Sequence, residues 1–299
     1  MTVTPCAFRN RDGHFLRGLF FDPPQPHRAA GVGLIYLPGI VLGYTAVHRL
    51  ACEVLGWGAR AGVPGYVFDH AGIGYSEGAT LAGTHEALAY HVNSGGLVLD
   101  TLEAMRHFRS ERAVERILFV GHCAGALTAS YAAGEDPGVA GMVLLSPPPL
   151  RSAGPDGSAA PMPAEAATQR LRLYREKLLS GRAWGRLASG RTDYRTLVRA
   201  IRARLPRAPR RGADLPFNER LIEGIRAVSR RGQVRIIAGD HDERVRELAE
   251  MVRCVEGPRV SSAVLPDTSH GFVTDESMRL LSNEIDGFLR AVGGRDRTG

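Results

Sequence analysis

Lysine is almost absent from this 299-residue chain: of 38 basic residues, Lys177 is the one lysine and the rest are arginine. A phosphate loop of the Gly-Lys-Ser/Thr type is excluded, because Lys177 follows Glu176. A Schiff-base enzyme would have to use the same residue inside an Arg-rich stretch, so that class drops out too. Cysteine is scarce and scattered. Cys6, Cys52, Cys123 and Cys254 form no C-x-x-C pair, which argues against a disulfide framework and against a zinc site. The zinc-protease pattern is also missing, since His85-Glu86 is followed by His91, six positions on, and two such rings do not share a helical face. No apolar run is long enough to span a membrane: the longest, about 31–47, is broken by Pro38 and Gly39. The first twenty residues carry Arg9, Arg11, Asp12, His14 and Arg17, which is not the pattern of a signal peptide. The expectation is a cytoplasmic protein with no membrane partner and no requirement for a metal or organic cofactor.

What is present is an ordinary globular composition, with 44% hydrophobic and 23% charged residues. Short apolar runs at 33–37, 65–69, 116–121, 141–146, 235–238 and 262–265 have strand length. Helical periods separate them, at 47–62, 85–109, 124–133, 245–255 and 276–292. This alternation predicts an α/β protein with a mostly parallel sheet and helices on both faces. In the last helix Met278, Leu281, Ile285, Phe288, Leu289 and Val292 form one stripe, and Thr274 is placed to cap it.

The rhythm breaks between 150 and 232. This stretch holds 19 basic against 7 acidic residues, while the chain as a whole carries net +7, so the basicity belongs to the insert. Three segments are expected: the first part of an α/β core at 1–149, a helical Arg-rich lid at 150–232, and the second part of the core at 233–299. A solvated helical face explains the arginines as well as a lid that attracts an anionic group does. The pocket-lining residues expected in such a lid are Leu171, Leu178, Trp184, Leu197 and Leu221.

The most informative text is the apolar strand 117–120 running into Gly121-His122-Cys123-Ala124-Gly125 and then into a helix of small residues. A nucleophile elbow needs this layout. The nucleophile sits on a strained turn, and glycines two positions to either side let strand and helix approach. Cys123 would project above the sheet at a helix N-terminus, which favours its thiolate.

With these residues the chain resembles the α/β-hydrolase fold in a form with a cysteine nucleophile. Leu37-Pro38-Gly39-Ile40 resembles the oxyanion loop, although Pro38 stands where many members have His. The turn from Asp69-His70 to Gly78 resembles D-x-x-G-x-G-x-S-x-G, and Asp69 with Ser76 is read as holding it together. The segment 236–242 resembles the one that carries the catalytic acid, and Asp267-Thr268-Ser269-His270 the one that carries the histidine. The resemblance implies Cys123 as nucleophile, His270 as base, and Asp242 as the acid that fixes its tautomer. Asp240 is a competing acid, disfavoured by its spacing from Gly239. Ala124 and Ile40 are the implied oxyanion donors, and Gly39, His70 and Trp184 the substrate-binding candidates. His122, beside the nucleophile, is read as structural.

Cysteine in place of the usual serine makes the acyl-enzyme a thioester. Transfer of an acyl group from an oxoester to a thiol is uphill, whereas transfer between thioesters is near balanced. The expected activity is therefore that of an acyl-thioester hydrolase, acyltransferase or cyclase, acting on a coenzyme A or acyl-carrier-protein thioester and similar to enzymes of secondary metabolism. A carboxylester or lipid hydrolase is the alternative. An Arg-rich binding module is a third reading. It is weakened for nucleic acid because only Tyr174, Trp184, Tyr194 and Phe217 are interleaved with the arginines.

Overall fold

The structure is a computed structural model and describes residues 1–24, 31–39, 48–80, 85–150 and 217–293. Among the described residues eight strands form one sheet: β1 (Thr2–Arg9), β2 (Phe15–Asp22), β3 (Val32–Leu37), β4 (Gly65–Phe68), β5 (Arg116–His122), β6 (Val139–Leu145), β7 (Gln233–Gly239) and β8 (Val260–Leu265). Their order is β1-β2-β4-β3-β5-β6-β7-β8. The pairs β1–β2 and β2–β4 are antiparallel and all the others are parallel. Among the described residues the helices are α1 (His48–Arg60), α2 (His85–Asn93), α3 (Val98–Arg112), α4 (Ala124–Glu135), α5 (Glu219–Ser229), α6 (Val245–Arg253) and α7 (Asp275–Gly293).

The central strands are apolar throughout because both of their faces are covered. Their two-residue period sends Ile35, Leu37, Ile117, Phe119, Met142 and Leu144 into one core with α3, α4 and α5. The alternate residues Leu34, Tyr36, Leu118, Val120, Val143 and Leu145 enter a second core with α1 and α7. The stripe expected on α7 is buried at all six positions, from Met278 to Val292. Thr274 caps this helix as expected: its Oγ1 accepts from the Ser277 N–H at 3.1 Å, and Ser277 Oγ accepts from the Thr274 N–H at 3.1 Å.

Three features differ from the sequence reading. The hairpin β1–β2 is new; β1 is largely exposed and presents no apolar run to find. The helical period at 85–109 is two helices, separated at Ser94-Gly95-Gly96, where Gly95 has φ 88°. The third difference concerns the insert. Met1–Gly157 and Phe217–Gly299 form one compact unit and Ser158–Pro216 another. Residues 217–232 thus belong to the first unit, the body that holds the sheet, and not to the expected lid. Leu221 is fully buried against α4 rather than lining an acyl pocket. Arg220 donates to Ser94 O, Arg226 to Cys254 O, and Arg231 to Val139 O and Ala133 O, so these three arginines serve the body. The chain leaves and returns side by side: Leu150 pairs with Phe217, and the Asn218 N–H donates to Pro149 O at 2.8 Å. Trp184, Leu171, Leu178 and Leu197 lie outside the described residues, as does Ile40.

The path of the chain reverses between β3 and β5. From β3 it moves outward to β4, then crosses back to β5. Open α/β sheets bind ligands at the carboxyl ends of strands at such a switch point. Cys123 follows β5 there, and Pro38-Gly39 follows β3.

Candidate active site

Between the end of β5 at His122 and the start of α4 at Ala124 one residue makes the turn, and that residue is Cys123, at φ 52° and ψ −115°. A side-chain-bearing residue in such a conformation costs about 1–3 kcal/mol and persists only where its surroundings hold it. Here the Cys123 N–H donates to Leu145 O at 2.8 Å, and Cys123 O accepts from the Ala126 N–H at 3.0 Å. The two glycines of the motif are sterically required. A Cβ on Gly121 would come 2.5 Å from Gly125 O, and one on Gly125 would come 2.6 Å from Pro38 O and overlap the Leu37 carbonyl. Close approach of α4, β5 and the 37–39 segment is what lifts the partly buried Cys123 side chain out of the sheet.

The structure brings Cys123, His270 and Asp242 together from the ends of β5, β8 and β7. His270 Nδ1–H donates to Asp242 Oδ2 at 2.8 Å, and the ring is near enough to Cys123 for each group to shift the protonation of the other. Asp242 is buried, and its second oxygen accepts from the Arg244 N–H at 3.0 Å. Burial works against ionisation of Cys123. The hydrogen bond and charge of His270 outweigh it, with smaller help from Arg244 and the Ala124 N–H, so the thiol pKa is lowered. Burial likewise opposes protonation of His270, but Asp242 and Cys123 together raise it to about 9. Asp242 is held below the usual carboxylate range: burial again opposes this, and the hydrogen bond and charge of His270 overcome it. The opposite shifts of the two groups favour a thiolate–imidazolium pair on a fixed carboxylate, able to attack a carbonyl and to deliver a proton.

The remaining candidates fall into place unevenly. Ala124 turns its N–H toward the sulfur, and a Cβ on Gly39 would stand 3.5 Å from Cys123 Cβ, so the loop after β3 adjoins the nucleophile. Asp240 does not reach the histidine ring. It is exposed, and its two oxygens accept from the Asp267 and Thr268 N–H groups at 3.1 and 3.0 Å, which shapes the loop that carries His270. His70, expected to touch substrate, is instead a buried structural residue. Its Nε2 donates to Thr101 Oγ1 at 3.0 Å, its ring packs on Phe68, and burial pushes its pKa down to about 4. Asp69 and Ser76 hold their turn as expected, through the Tyr75 N–H on Asp69 Oδ2 and Ser76 Oγ on Asp69 O.

Sequence reading missed two contributors, Ser146 and Arg244, and read a third, His122, as structural without finding its partner. His122 Nε2–H donates to His270 O at 2.9 Å, tying the end of β5 to the histidine loop, and burial pushes its ring down to about 4. Ser146, at φ 45° beyond β6, turns a buried hydroxyl toward Asp242 and favours the carboxylate without forming a well-aligned hydrogen bond. Arg244 brings a cation near Cys123. Strand-end serine followed by Pro147-Pro148 and the D-x-R step at 242–244 were the available signals. Among the described residues no helix is long and apolar enough to cross a membrane, and no cluster of three or more His, Cys, Asp or Glu is placed to hold a metal ion.

No curated protein matches the chain. Solved structures do. Esterase Pf2001 of Pyrococcus furiosus is 16% identical with a TM-score of 0.63, over 97% of this chain and 91% of that one. The alpha/beta hydrolase GrgF from Penicillium sp. sh18 is 16% identical with a TM-score of 0.60, over 98% and 100%. Mouse alpha/beta hydrolase domain-containing protein 10 is 17% identical with a TM-score of 0.53, over 97% and 99%. At such identities these likenesses establish the fold. The family model of the alpha/beta hydrolases matches residues 34–283, from β3 to α7 and so across the elbow and both loops beneath it, and the chain belongs to the alpha/beta hydrolase family.

Proposed function

We propose that this protein is an acyl-thioester hydrolase or acyl-transferring or cyclising enzyme that works through a cysteinyl acyl-enzyme, on a coenzyme A or carrier-protein thioester. The observation that carries the reading is the position of Cys123 at the elbow, beside a His270 that Asp242 orients and that favours its thiolate. The Cys123 thiolate attacks the thioester carbonyl, forming a carbon–sulfur bond and a tetrahedral oxyanion that the Ala124 N–H faces. Collapse expels the substrate's thiolate, which takes the proton from the His270 imidazolium. Neutral His270 then removes a proton from water, an alcohol or an amine as that group attacks the acyl-enzyme. The acyl group departs on the second nucleophile and Cys123 is again a thiolate beside protonated His270. A thioester substrate suits this chemistry because one carbon–sulfur bond replaces another.

Intact mass spectrometry with a slowly turned-over acyl thioester tests the reading. Wild type is expected to gain the acyl mass and Cys123→Ala to remain unmodified. An adduct on Cys52 or Cys254, or turnover of carboxylesters with no response to thioesters, overturns it in favour of another nucleophile or of simple ester hydrolysis.

A further inference from the structure

The loop that supplies Asp242 also supplies a guanidinium with more binding capacity than the protein uses. Arg244 closes onto Asp242 through its backbone, the N–H donating to Asp242 Oδ1 at 3.0 Å. This ties it to the carboxylate that holds His270, and its charge adds to those that favour the Cys123 thiolate. One terminal nitrogen, Nη2, is 3.6 Å from Glu243 Oε1, a loose pair. The other, Nη1, is buried and has no hydrogen-bond partner. A buried nitrogen of a charged group without an acceptor is rare, because each such donor forfeits its hydration without replacement. The guanidinium is also a planar fork shaped for a carboxylate, which it binds through two parallel N–H donors.

We propose that Arg244 recognises a carboxylate of the substrate lying beside the carbonyl that Cys123 attacks, which makes carboxylate-bearing acyl thioesters the preferred substrate class. This rests on Cys123 as nucleophile. The carboxylate comes from the acyl chain or from the thiol half of the thioester, and both sources present the same chemistry to the guanidinium. Lysine at this position would supply the charge without the fork and would satisfy the site in part.

Alkylation of Cys123 tests this without calling on thioester turnover. Iodoacetate and iodoacetamide carry the same reactive carbon and differ in that one bears a carboxylate and the other a neutral amide. For wild type, Arg244→Gln and Arg244→Lys, the ratio of the iodoacetate to the iodoacetamide rate at Cys123 is measured by peptide mass spectrometry. The ratio is expected to fall about ten- to a hundredfold in Arg244→Gln, and less in Arg244→Lys. A residue that only supports the loop, or only favours the thiolate, changes both rates by the same factor, and an unchanged ratio overturns the proposal. The substrate arm compares N-acetylcysteamine thioesters of butyrate and succinate with the butyryl thioester of thioglycolate. Preference for the succinyl compound places the carboxylate on the acyl side, and preference for the thioglycolate compound places it on the thiol side. Either preference must disappear in Arg244→Gln, chiefly through KM. Equal use of all three by wild type overturns the substrate class. Absence of any acyl adduct on Cys123 instead overturns the thioester reading, while the alkylation ratio still reports on Arg244.

Discussion

Gly125, in the first turn of α4, lies so close to Leu37 at the end of β3 that a side chain on it would overlap the Leu37 carbonyl. The helix that follows the nucleophile and the strand that leads into the loop above it are thus locked backbone to backbone. Gly125→Ala is expected to destabilise the fold by about 3 kcal/mol or more, because rigid backbone and not a flexible side chain must yield. Gly134→Ala in the same helix is the control. Nothing lies within 4 Å of a Cβ there, and the helix should gain about 0.5–1 kcal/mol. Urea unfolding of the two variants checks the pair. Equal effects would mean that the approach of α4 to β3 is not the constraint.

Asp242 and Asp240 stand two residues apart and do different things. Asp242→Asn should lower turnover by about 10⁴-fold, the penalty for the wrong histidine tautomer in a serine enzyme with this arrangement. Asp240→Asn should act mildly, through the turn at 267–268 that its oxygens cap. Steady-state kinetics on one thioester decides between them, and a larger loss at Asp240 would exchange their roles.

The pH dependence of Cys123 alkylation follows from the signs of the two shifts. A lowered thiol pKa means that the thiolate is present above that lowered value and is lost only as pH falls through it. Reaction with iodoacetamide should therefore persist at pH values below the ordinary thiol pKa of about 8.5. His270→Gln removes the hydrogen bond and charge that overcome burial, so its profile should move up into or above the ordinary range. Coincident profiles for the two proteins would show that His270 does not hold the thiolate.

Leu221 distinguishes the body from the insert. It is fully buried against α4, and its carbonyl accepts from Ser130 Oγ at 2.9 Å. Leu221→Ala should cost about 2–5 kcal/mol of stability, as for a core leucine. A change in substrate affinity at wild-type stability would return Leu221 to the acyl-lining role expected from sequence.

Much of this protein was legible in one dimension because its signals are local or have a fixed order. The parallel strands are buried on both faces and therefore read as short apolar runs, and each of the six expected ones coincides with a strand to within three residues at either end. The elbow declares itself because glycines at 121 and 125 have no other reason to flank Cys123 at that spacing beside a strand and a helix. The chain order Cys123, Asp242, His270 pointed to the group that the fold brings together. What the sequence left open depends on distances between residues far apart in the chain. Spacing from Gly239 favoured Asp242 over Asp240, but what Asp240 does instead, accepting from the backbone at 267–268, appears only in the fold. His70 looks like a pocket residue until Thr101, 31 positions later, takes its Nε2. Arg226 and Arg231 look like part of a basic lid until the carbonyls of Cys254, Val139 and Ala133 are found at their guanidinium groups. A charged side chain's role is set by whichever polar group folding places beside it, because burial removes the water that would otherwise have sufficed.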